Sequence, residues 1–175
     1  MLQPLDDLEK WHSSGDPWGY ETNPEDSKRK DILLSELPQK KYLNVLDIGC
    51  GHGFVTRDLP GERVLGIDIS HEAIKQAQAY KTDRTTFLQS SLFDLNRKLT
   101  EQFDLIVITG VLYPQYTGNA HNLVYRIIDR LLTDSGLLVS VHIESWYNAR
   151  FPYLLLNDYY YDYRDHTHRL EVYVK

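Results

Sequence analysis

The chain contains little cysteine and methionine, with one residue of each among 175. The single cysteine, Cys50, excludes an internal disulfide, and this favours a reducing, cytoplasmic location. The net charge is -6, so a basic surplus, which binding to nucleic acid phosphates requires, is lacking. No apolar run approaches the ~18 residues of a membrane span, and the acidic first residues do not resemble a signal peptide. We therefore expect a partner that is neither nucleic acid nor a membrane.

What remains is the composition of an ordinary globular protein, with 42% apolar and 25% charged residues. Its length suits a single domain, predicted to span residues 1–175. The first forty residues are polar and rich in turn formers, whereas residues 41–175 alternate between apolar segments and helical patterns. In the first segment, Asn23 and Pro24 predict the start of a helix that ends near Leu37. Thirteen tyrosines suit a site that stacks on or hydrogen-bonds a polar small molecule.

The segments after residue 40 predict the fold class. Apolar segments of strand character are YLNVLDI, RVLGIDI, TTFLQ, FDLIVIT and GLLVSVHI. Helices are predicted between them, beginning near Gly53, after Ser70 and at Leu123, with Gly136 as the stop of the last one. The tail YYYDYRDHTHRLEVYVK predicts two strands joined by a turn at residues 165–167. This alternation indicates an α/β, doubly wound, mostly parallel sheet with an antiparallel C-terminal hairpin strand and helices on both faces.

The stretch LDIGCGHG carries the strongest functional signal. Three glycines leave the first strand and would let a ligand lie against the main chain. A dinucleotide site usually has the spacing G-x-G-x-x-G, and this loop has G-x-G-x-G instead. Asp47 would repel a pyrophosphate and would suit an ammonium or sulfonium, while Asp68 ends the second strand, where a carboxylate binds ribose hydroxyls. The pair favours S-adenosylmethionine over NAD, and an NAD-dependent oxidoreductase is the first rival.

At this point the sequence resembles the class I S-adenosylmethionine-dependent methyltransferases. VLDIGCGHGFVTRDL and VLGIDIS look like their first two motifs, and FDLIVITGVLY and LLTDSGLLVSV resemble the later strands, over roughly residues 43 to 143. The resemblance implies a Rossmann-like sheet of seven strands and S-adenosyl-L-methionine as the cofactor. It also implies cofactor contacts with the following residues: Asp47, Gly49, Gly51, Gly53, Asp68, Ile69, Ser91, Leu92 and Thr109.

The upstream stretch DPWGYETNPEDSKRKDILLSEL resembles a narrower group, the nodulation-type N-methyltransferases that act on chitooligosaccharide amines. By that resemblance, residues 1–40 cover the cofactor, with Trp18 and Tyr20 close to it. One basic side chain of the pair Lys28 and Arg29 would bind the methionine carboxylate, and Lys28 is the predicted contact. The chain departs from the group at Gly110, where relatives often carry an acid, and in a short connection after the fifth strand.

Candidate residues for binding and activating the methyl acceptor lie at the ends of the predicted fourth and fifth strands. His142 and Glu144 are the candidate bases and share a face if the fifth strand stays extended, and Tyr113 would orient the acceptor. His166 and His168 form an H-x-H pattern, which we place in a solvated hairpin turn rather than at a metal site.

The resulting prediction is a small-molecule methyltransferase acting on an amine or amino sugar. The alternatives are an O-methyltransferase and a catalytically silent module that binds S-adenosylmethionine and acts through a partner. The sequence does not decide whether a homodimer is needed to close the acceptor pocket.

Overall fold

Residues 2–175 of the chain are described by a computed structural model. Over that range a single sheet of seven strands has the order β3-β2-β1-β4-β5-β7-β6. The bounds are β1 Asn44–Ile48, β2 Arg63–Asp68, β3 Thr85–Gln89, β4 Phe103–Thr109, β5 Leu132–Ile143, β6 Leu154–Tyr163 and β7 His166–Val174. The first five strands are parallel, and β7 lies antiparallel between β5 and β6. The predicted Rossmann-like sheet with an antiparallel hairpin is confirmed.

The helices lie on both faces of this sheet. Their bounds are α1 Leu5–His12, α2 Pro24–Ser35, α3 His71–Ala77, α4 Leu95–Lys98, α5 Pro114–Thr117 and α6 His121–Leu131. One apolar layer packs α6 on the sheet through Val124, Ile127, Ile128 and Leu131. The opposite layer contains Leu33 of α2 and Leu37 just beyond it. The cofactor crevice of such a sheet lies where the strand order reverses, which is between β1 and β4 in this chain.

Two predicted elements differ from the structure. The helix expected near Gly53 is a single 3-10 turn, Thr56–Asp58, because Pro60 cannot continue a helix. The last long helix ends at Leu131, and Leu132 already pairs with Phe103 in the sheet. Gly136 therefore lies within β5 and does not stop the helix.

Helix α1 was not predicted from the sequence, because its residues are mostly polar. Its Glu9 carboxylate accepts hydrogen bonds from the Ser70 hydroxyl at 2.7 Å and from the main-chain N–H groups of His71 and Glu72 at 2.7 and 3.1 Å. These donors form the N-terminus of α3, where a negative charge is favourable. The N-terminal segment is thereby fixed beside the end of β2.

Candidate active site

The loop after β1 depends on glycine at two positions for different reasons. Gly49 has φ +79°, and a Cβ there would lie 2.1 Å from Cγ2 of Val111, in the loop after β4. Gly51 has φ +54°, and a Cβ there would meet no atom of the described chain within 4 Å. Gly49 therefore allows two loops to approach each other, whereas Gly51 leaves its space open to a ligand.

Asp47 is buried at the end of β1. Its Oδ2 accepts a hydrogen bond of 2.6 Å from the Thr56 hydroxyl. Its Oδ1 is buried without a hydrogen-bond partner among residues 2–175. Burial raises the pKa of Asp47 to about 6, against the lowering effect of the Thr56 bond, and the negative charge of Asp68 adds to the increase. The raised pKa reflects the free energy that burial of the ionised carboxylate costs. A cation bound at Oδ1 would stabilise the ionised form and offset that cost.

Asp68, at the end of β2, faces the same loop. Its Oδ2 accepts a hydrogen bond from the Gly51 N–H and its Oδ1 one from the Ser70 N–H, both at 2.9 Å. Burial raises the pKa of this carboxyl, while these two N–H groups and the charge of His12 oppose the increase. Each carboxylate oxygen has a second lone pair, so both can still accept from hydroxyl groups.

The segment before α2 lies over the glycine loop through aromatic side chains. The Trp18 and Tyr20 rings stack with centroids 6.3 Å apart, and the Tyr20 ring lies 5.5 Å from Phe54. The Arg29 guanidinium lies 5.1 Å from the centre of the Tyr20 ring. Its positive charge acts to lower the pKa of Asp47, whereas Lys28 is exposed. The geometry therefore conflicts with the predicted contact of Lys28, and Arg29 is the side chain of the pair directed toward the site.

A contact that the sequence did not indicate ties this segment to the loop. The Glu21 carboxylate accepts two hydrogen bonds from Arg57, at 2.7 and 2.9 Å, and one from the Tyr80 hydroxyl at 3.1 Å. The Arg57 bonds lower the pKa of Glu21 to about 2, although partial burial opposes them. No spacing rule connects residues so distant in sequence, so only the fold reveals this contact.

The residues predicted to contact the adenine lie after β2 and β3, and Thr109, predicted to lie near the methyl group, ends β4. Ile69 is 40% exposed, which leaves an apolar side chain free to pack on a ring. The Ser91 hydroxyl accepts a hydrogen bond from the Phe93 N–H at 3.2 Å, Leu92 is buried, and Thr109 is half-buried at the end of β4. Their roles as cofactor contacts stay predictions.

The predicted bases differ in their surroundings. His142 is buried, with Nε2 accepting the Leu112 N–H at 3.1 Å and Nδ1 lying 3.1 Å from the Ser140 hydroxyl. Burial and then the charges of His168 and Arg169 lower the pKa of His142 to about 3. Since both ring nitrogens already have partners, the predicted base role of His142 conflicts with the geometry.

Glu144 and Tyr113 occupy the turn after β5 and the loop after β4. β5 ends at Ile143, so the extended strand that would give His142 and Glu144 one face does not continue. Glu144 is half-buried, and its N–H donates to the Thr167 carbonyl at 3.0 Å. The buried Tyr113 hydroxyl accepts from the Ile143 N–H at 2.9 Å, and burial raises the pKa of Tyr113 to about 12.

The H-x-H pattern was predicted to lie in a solvated hairpin turn, and the structure differs from this prediction. Tyr163 pairs with His166, which places the turn at residues 164–165. His166 is exposed and lies 5.1 Å from the Trp146 ring, whereas His168 is buried on β7. Within residues 2–175, no three His, Cys, Asp or Glu side chains are grouped as a metal site would require.

Comparison with known proteins agrees with this architecture. Residues 39–160 match a family described as a methyltransferase domain. Nodulation protein S of Bradyrhizobium diazoefficiens is 27% identical over 136 residues, which cover 75% of this chain and 65% of that protein. The human mitochondrial ubiquinone biosynthesis O-methyltransferase is 32% identical over 96 residues, 47% of this chain and 26% of the relative. The matches thus span less than two thirds of either relative.

Solved structures show the same fold at low sequence identity. The N-methyltransferase NodS from Bradyrhizobium japonicum, in complex with S-adenosyl-L-homocysteine, superimposes with a TM-score of 0.83 at 22% identity and covers 98% of this chain and 97% of its own. Magnesium protoporphyrin IX methyltransferase from Synechocystis, with bound S-adenosylmethionine, gives a TM-score of 0.74 at 17% identity, covering 100% of this chain and 98% of its own.

The chain belongs to the methyltransferase domain family, and it has the fold of the class I S-adenosylmethionine-dependent methyltransferases. The family and fold that the sequence predicted are thereby confirmed. Among residues 2–175, none of the helices is long and apolar enough to cross a membrane.

Proposed function

We propose that this chain binds S-adenosylmethionine in the crevice between β1 and β4 and transfers its methyl group to a small-molecule amine. The observation that carries the cofactor assignment is Oδ1 of Asp47. It is a buried carboxylate oxygen without a partner in the described chain, and it lies beside a glycine loop with open space at Gly51. Leaving such an oxygen unpaired costs about 1–3 kcal/mol, so a positively charged ligand group explains it best.

The residues fit the chemical groups of this cofactor one by one. Asp47 would accept hydrogen bonds from the α-ammonium, and Asp68 would accept them from the ribose hydroxyls. Arg29 would pair with the methionine carboxylate, because its guanidinium is close enough to act on the charge of Asp47. Ile69 offers an exposed apolar surface to the adenine. An NAD pyrophosphate fits less well, since it would meet the Asp47 carboxylate.

When bound, S-adenosylmethionine supplies an activated methyl group on a sulfonium, so the chain needs no strong acid or base for a neutral amine. The contribution of the protein is to hold both reactants in line and to exclude water, which is worth ~7–11 kcal/mol in favourable cases. The aromatic cover formed by Trp18, Tyr20 and Phe54 would serve the second purpose.

An amine acceptor is favoured by the likeness to the N-methyltransferase NodS in fold and to nodulation protein S in sequence. The likeness to a ubiquinone biosynthesis O-methyltransferase keeps a hydroxyl acceptor as the second candidate. A location in the cytoplasm and a single domain over residues 1–175 remain parts of this proposal.

The first experiment is calorimetric titration of the chain with S-adenosylmethionine, S-adenosylhomocysteine and NAD. We expect the first two to bind with Kd values on the order of micromolar and NAD not to bind. Binding of NAD alone, or of none of the three, would refute the proposal.

A matched pair of variants tests the carboxylate contact. Arg29→Gln should weaken S-adenosylhomocysteine binding about tenfold, because it removes one charge-assisted hydrogen-bonded pair. Lys28→Gln, one position along the same helix but exposed, should leave the affinity unchanged. Equal effects of the two substitutions would contradict the assignment to Arg29.

A further inference from the structure

The C-terminal hairpin directs two polar side chains toward α2. Tyr161 of β6 and His168 of β7 are paired across the hairpin, with ring centroids 5.7 Å apart. His168 is 7% exposed. On its other side His168 pairs with Ile143, at the end of β5. This pair therefore lies at the same end of the sheet as the predicted cofactor crevice.

Both side chains have a buried polar atom without a partner. Neither the Tyr161 hydroxyl nor His168 Nδ1 has a hydrogen bond to any of residues 2–175. The same is true of Nε of Arg29, which belongs to the adjoining helix α2. Buried polar groups are nearly always hydrogen-bonded, so unpaired groups from three different elements on one face need an explanation. A polar ligand that enters the space between α2 and the hairpin supplies one.

The charge of Arg29 connects this face to the cofactor end of the site. It acts to lower the pKa of Asp47 and also the pKa values of Tyr161 and His168. The Tyr113 hydroxyl, in the loop after β4, likewise acts on Tyr161. Tyr161 and His168 thus both lie within electrostatic range of Arg29, and Tyr161 also lies within range of the loop after β4, where the methyl group is expected.

An opening at the protein surface reaches Arg29 and Tyr161, whereas His168 is not part of its lining. A cavity of about 60 Å³ lies between α2 and β6 and is lined by Lys28, Arg29, Tyr161 and Tyr163, together with Ile32 and the acids Glu25 and Asp162. The lining combines hydrogen-bonding groups of both signs with aromatic rings. Such a surface suits a small polar molecule better than an apolar one.

We propose that Tyr161 and His168 bind the methyl acceptor, a small primary amine, with His168 Nδ1 accepting a hydrogen bond from the N–H of the attacking nitrogen. The Tyr161 hydroxyl then hydrogen-bonds a neighbouring polar group of the same molecule. This assignment rests on the proposed methyltransferase function and adds the residues that hold its second substrate.

The surroundings of His168 suit this role. Burial, then the charges of Arg29 and of His166, lower the pKa of His168 to about 4, so the imidazole is neutral at pH 7 and accepts a hydrogen bond. The same positive charge and burial disfavour an ammonium, which keeps the amine in its nucleophilic neutral form. The groups facing His168 are Arg29 from α2, Tyr161 and Tyr163 from β6, His142 from β5 and His166 from β7.

The hairpin itself provides matched controls, because neighbouring residues point to the opposite face or to solvent. Tyr160 is 49% exposed, and His166 is exposed as well. Tyr161→Phe and Tyr160→Phe each remove one hydroxyl, and His168→Phe and His166→Phe each replace an imidazole by a ring of similar shape. His168→Asn tests rescue, since its amide oxygen offers an acceptor near the position of Nδ1.

The test has a readout that does not need turnover. Imidazole NMR signals of the protein loaded with S-adenosylhomocysteine are followed during addition of glucosamine, ethanolamine and benzylamine, with glucose and benzyl alcohol as counterparts that carry only hydroxyls. We expect an amine to shift the His168 signal and not the His166 signal. All five variants should bind S-adenosylhomocysteine as the parent does.

Turnover of the amine that shifts His168 completes the test. Tyr161→Phe and His168→Phe should each lower kcat/KM about tenfold, the value of one hydrogen bond to a buried group, and His168→Asn should recover part of it. Tyr161→Phe should unfold at the same temperature as the parent or a higher one, since it removes an unpaired buried hydroxyl. Lower activity accompanied by a lower unfolding temperature would indicate a structural role and overturn the assignment.

The remaining outcomes separate the two proposals. If the parent binds S-adenosylhomocysteine but no amine moves the His168 signal, or if Tyr161→Phe and Tyr160→Phe are equally active, the acceptor assignment is wrong and the cofactor site stands. A shift with the hydroxyl-only molecules alone overturns the amine class. If the parent does not bind S-adenosylhomocysteine, the proposed function fails and this inference fails with it.

Discussion

The two ends of the candidate site are built in different ways. The cofactor end consists of Asp47, the glycine loop and Asp68, all within one β1–loop–β2 unit. The acceptor face combines α2, the loop after β4 and the two hairpin strands, whose residues lie far apart in sequence. The cofactor end is consequently encoded as a recognisable motif, whereas the acceptor face exists only once the sheet has formed.

The difference also shows in hydrogen bonding. Asp68 at the cofactor end is held by two main-chain N–H groups, so the loop is ordered before a ligand arrives. The acceptor face leaves the Tyr161 hydroxyl and His168 Nδ1 without partners in the described chain. The cofactor end thus combines an acid anchored by the main chain, Asp68, with one unpaired oxygen, Oδ1 of Asp47, whereas no hydrogen bond within residues 2–175 holds either of the two acceptor groups.

The largest expected effect concerns Asp68. Asp68→Ala removes the predicted ribose acceptor and the anchor of the Gly51 N–H, so S-adenosylhomocysteine affinity should fall about ten- to hundredfold, as expected for hydrogen bonds to a charged group. Calorimetric titration measures the change. Asp83→Ala, which alters an exposed acid of the same charge, is the control. Equal affinities for the two variants would show that the cofactor does not contact Asp68 at the end of β2.

The two glycines should separate stability from binding. Gly49→Ala brings a Cβ to 2.1 Å from Val111, so we expect a substantially lower unfolding temperature. Gly51→Ala adds a Cβ to open space, so it should cost only the strain of its positive φ, about 1–2 kcal/mol, while it weakens S-adenosylhomocysteine binding. Thermal unfolding with and without ligand measures both. If Gly51→Ala binds as tightly as the parent, the ligand does not lie against this loop.

A smaller effect should appear as pH dependence. The pKa of Asp47 is raised from 3.8 to about 6 in the folded chain, so ionisation of this carboxyl costs stability as the pH rises through that interval. A bound ammonium favours the ionised form, so S-adenosylhomocysteine affinity should increase about tenfold between pH ~5 and pH ~7. In Asp47→Asn this increase should disappear. A parent and a variant with the same pH dependence would show that another group is responsible.

The smallest effect is expected for His142. His142→Gln keeps a side-chain acceptor for the Leu112 N–H, so activity should change only a few-fold and the pH profile should keep its shape. Rates of the parent and the variant over a range of pH test this, with the amine identified above as acceptor. Loss of the acidic limb, in which the rate falls as the base becomes protonated, would restore His142 as a catalytic base.

Much of the cofactor end could be predicted because its signals are local. Strand β1, the glycines and Asp68 follow one another directly, and hydrophobic patterning fixes the strands that carry them. The choice between Lys28 and Arg29 could not be made reliably in this way, and the sequence-based choice of Lys28 fell on an exposed side chain. Three consecutive basic residues on a helix all look alike in sequence, and the direction of each depends on how α2 packs on the sheet.

The hairpin shows the same limit most clearly. The sequence indicated two strands and a polar turn at residues 165–167, whereas the structure turns at residues 164–165. His166 and His168 are two residues apart, so alternation places both on one side of β7, and the difference in their exposure comes from their distance from the turn and from what packs there. His168 was expected in solvent and lies instead beside Arg29.

The sequence by itself determined the parallel sheet, the order of its first five strands along the chain and the two acids that identify the cofactor. These features depend on periodicity and on residues close together in the chain. Only the tertiary structure decided which side chains form the proposed acceptor face. The antiparallel β7 inserts between β5 and β6, and this insertion brings Tyr161 and His168 to the face of α2. Contacts of that kind depend on packing between distant segments, which no local pattern records.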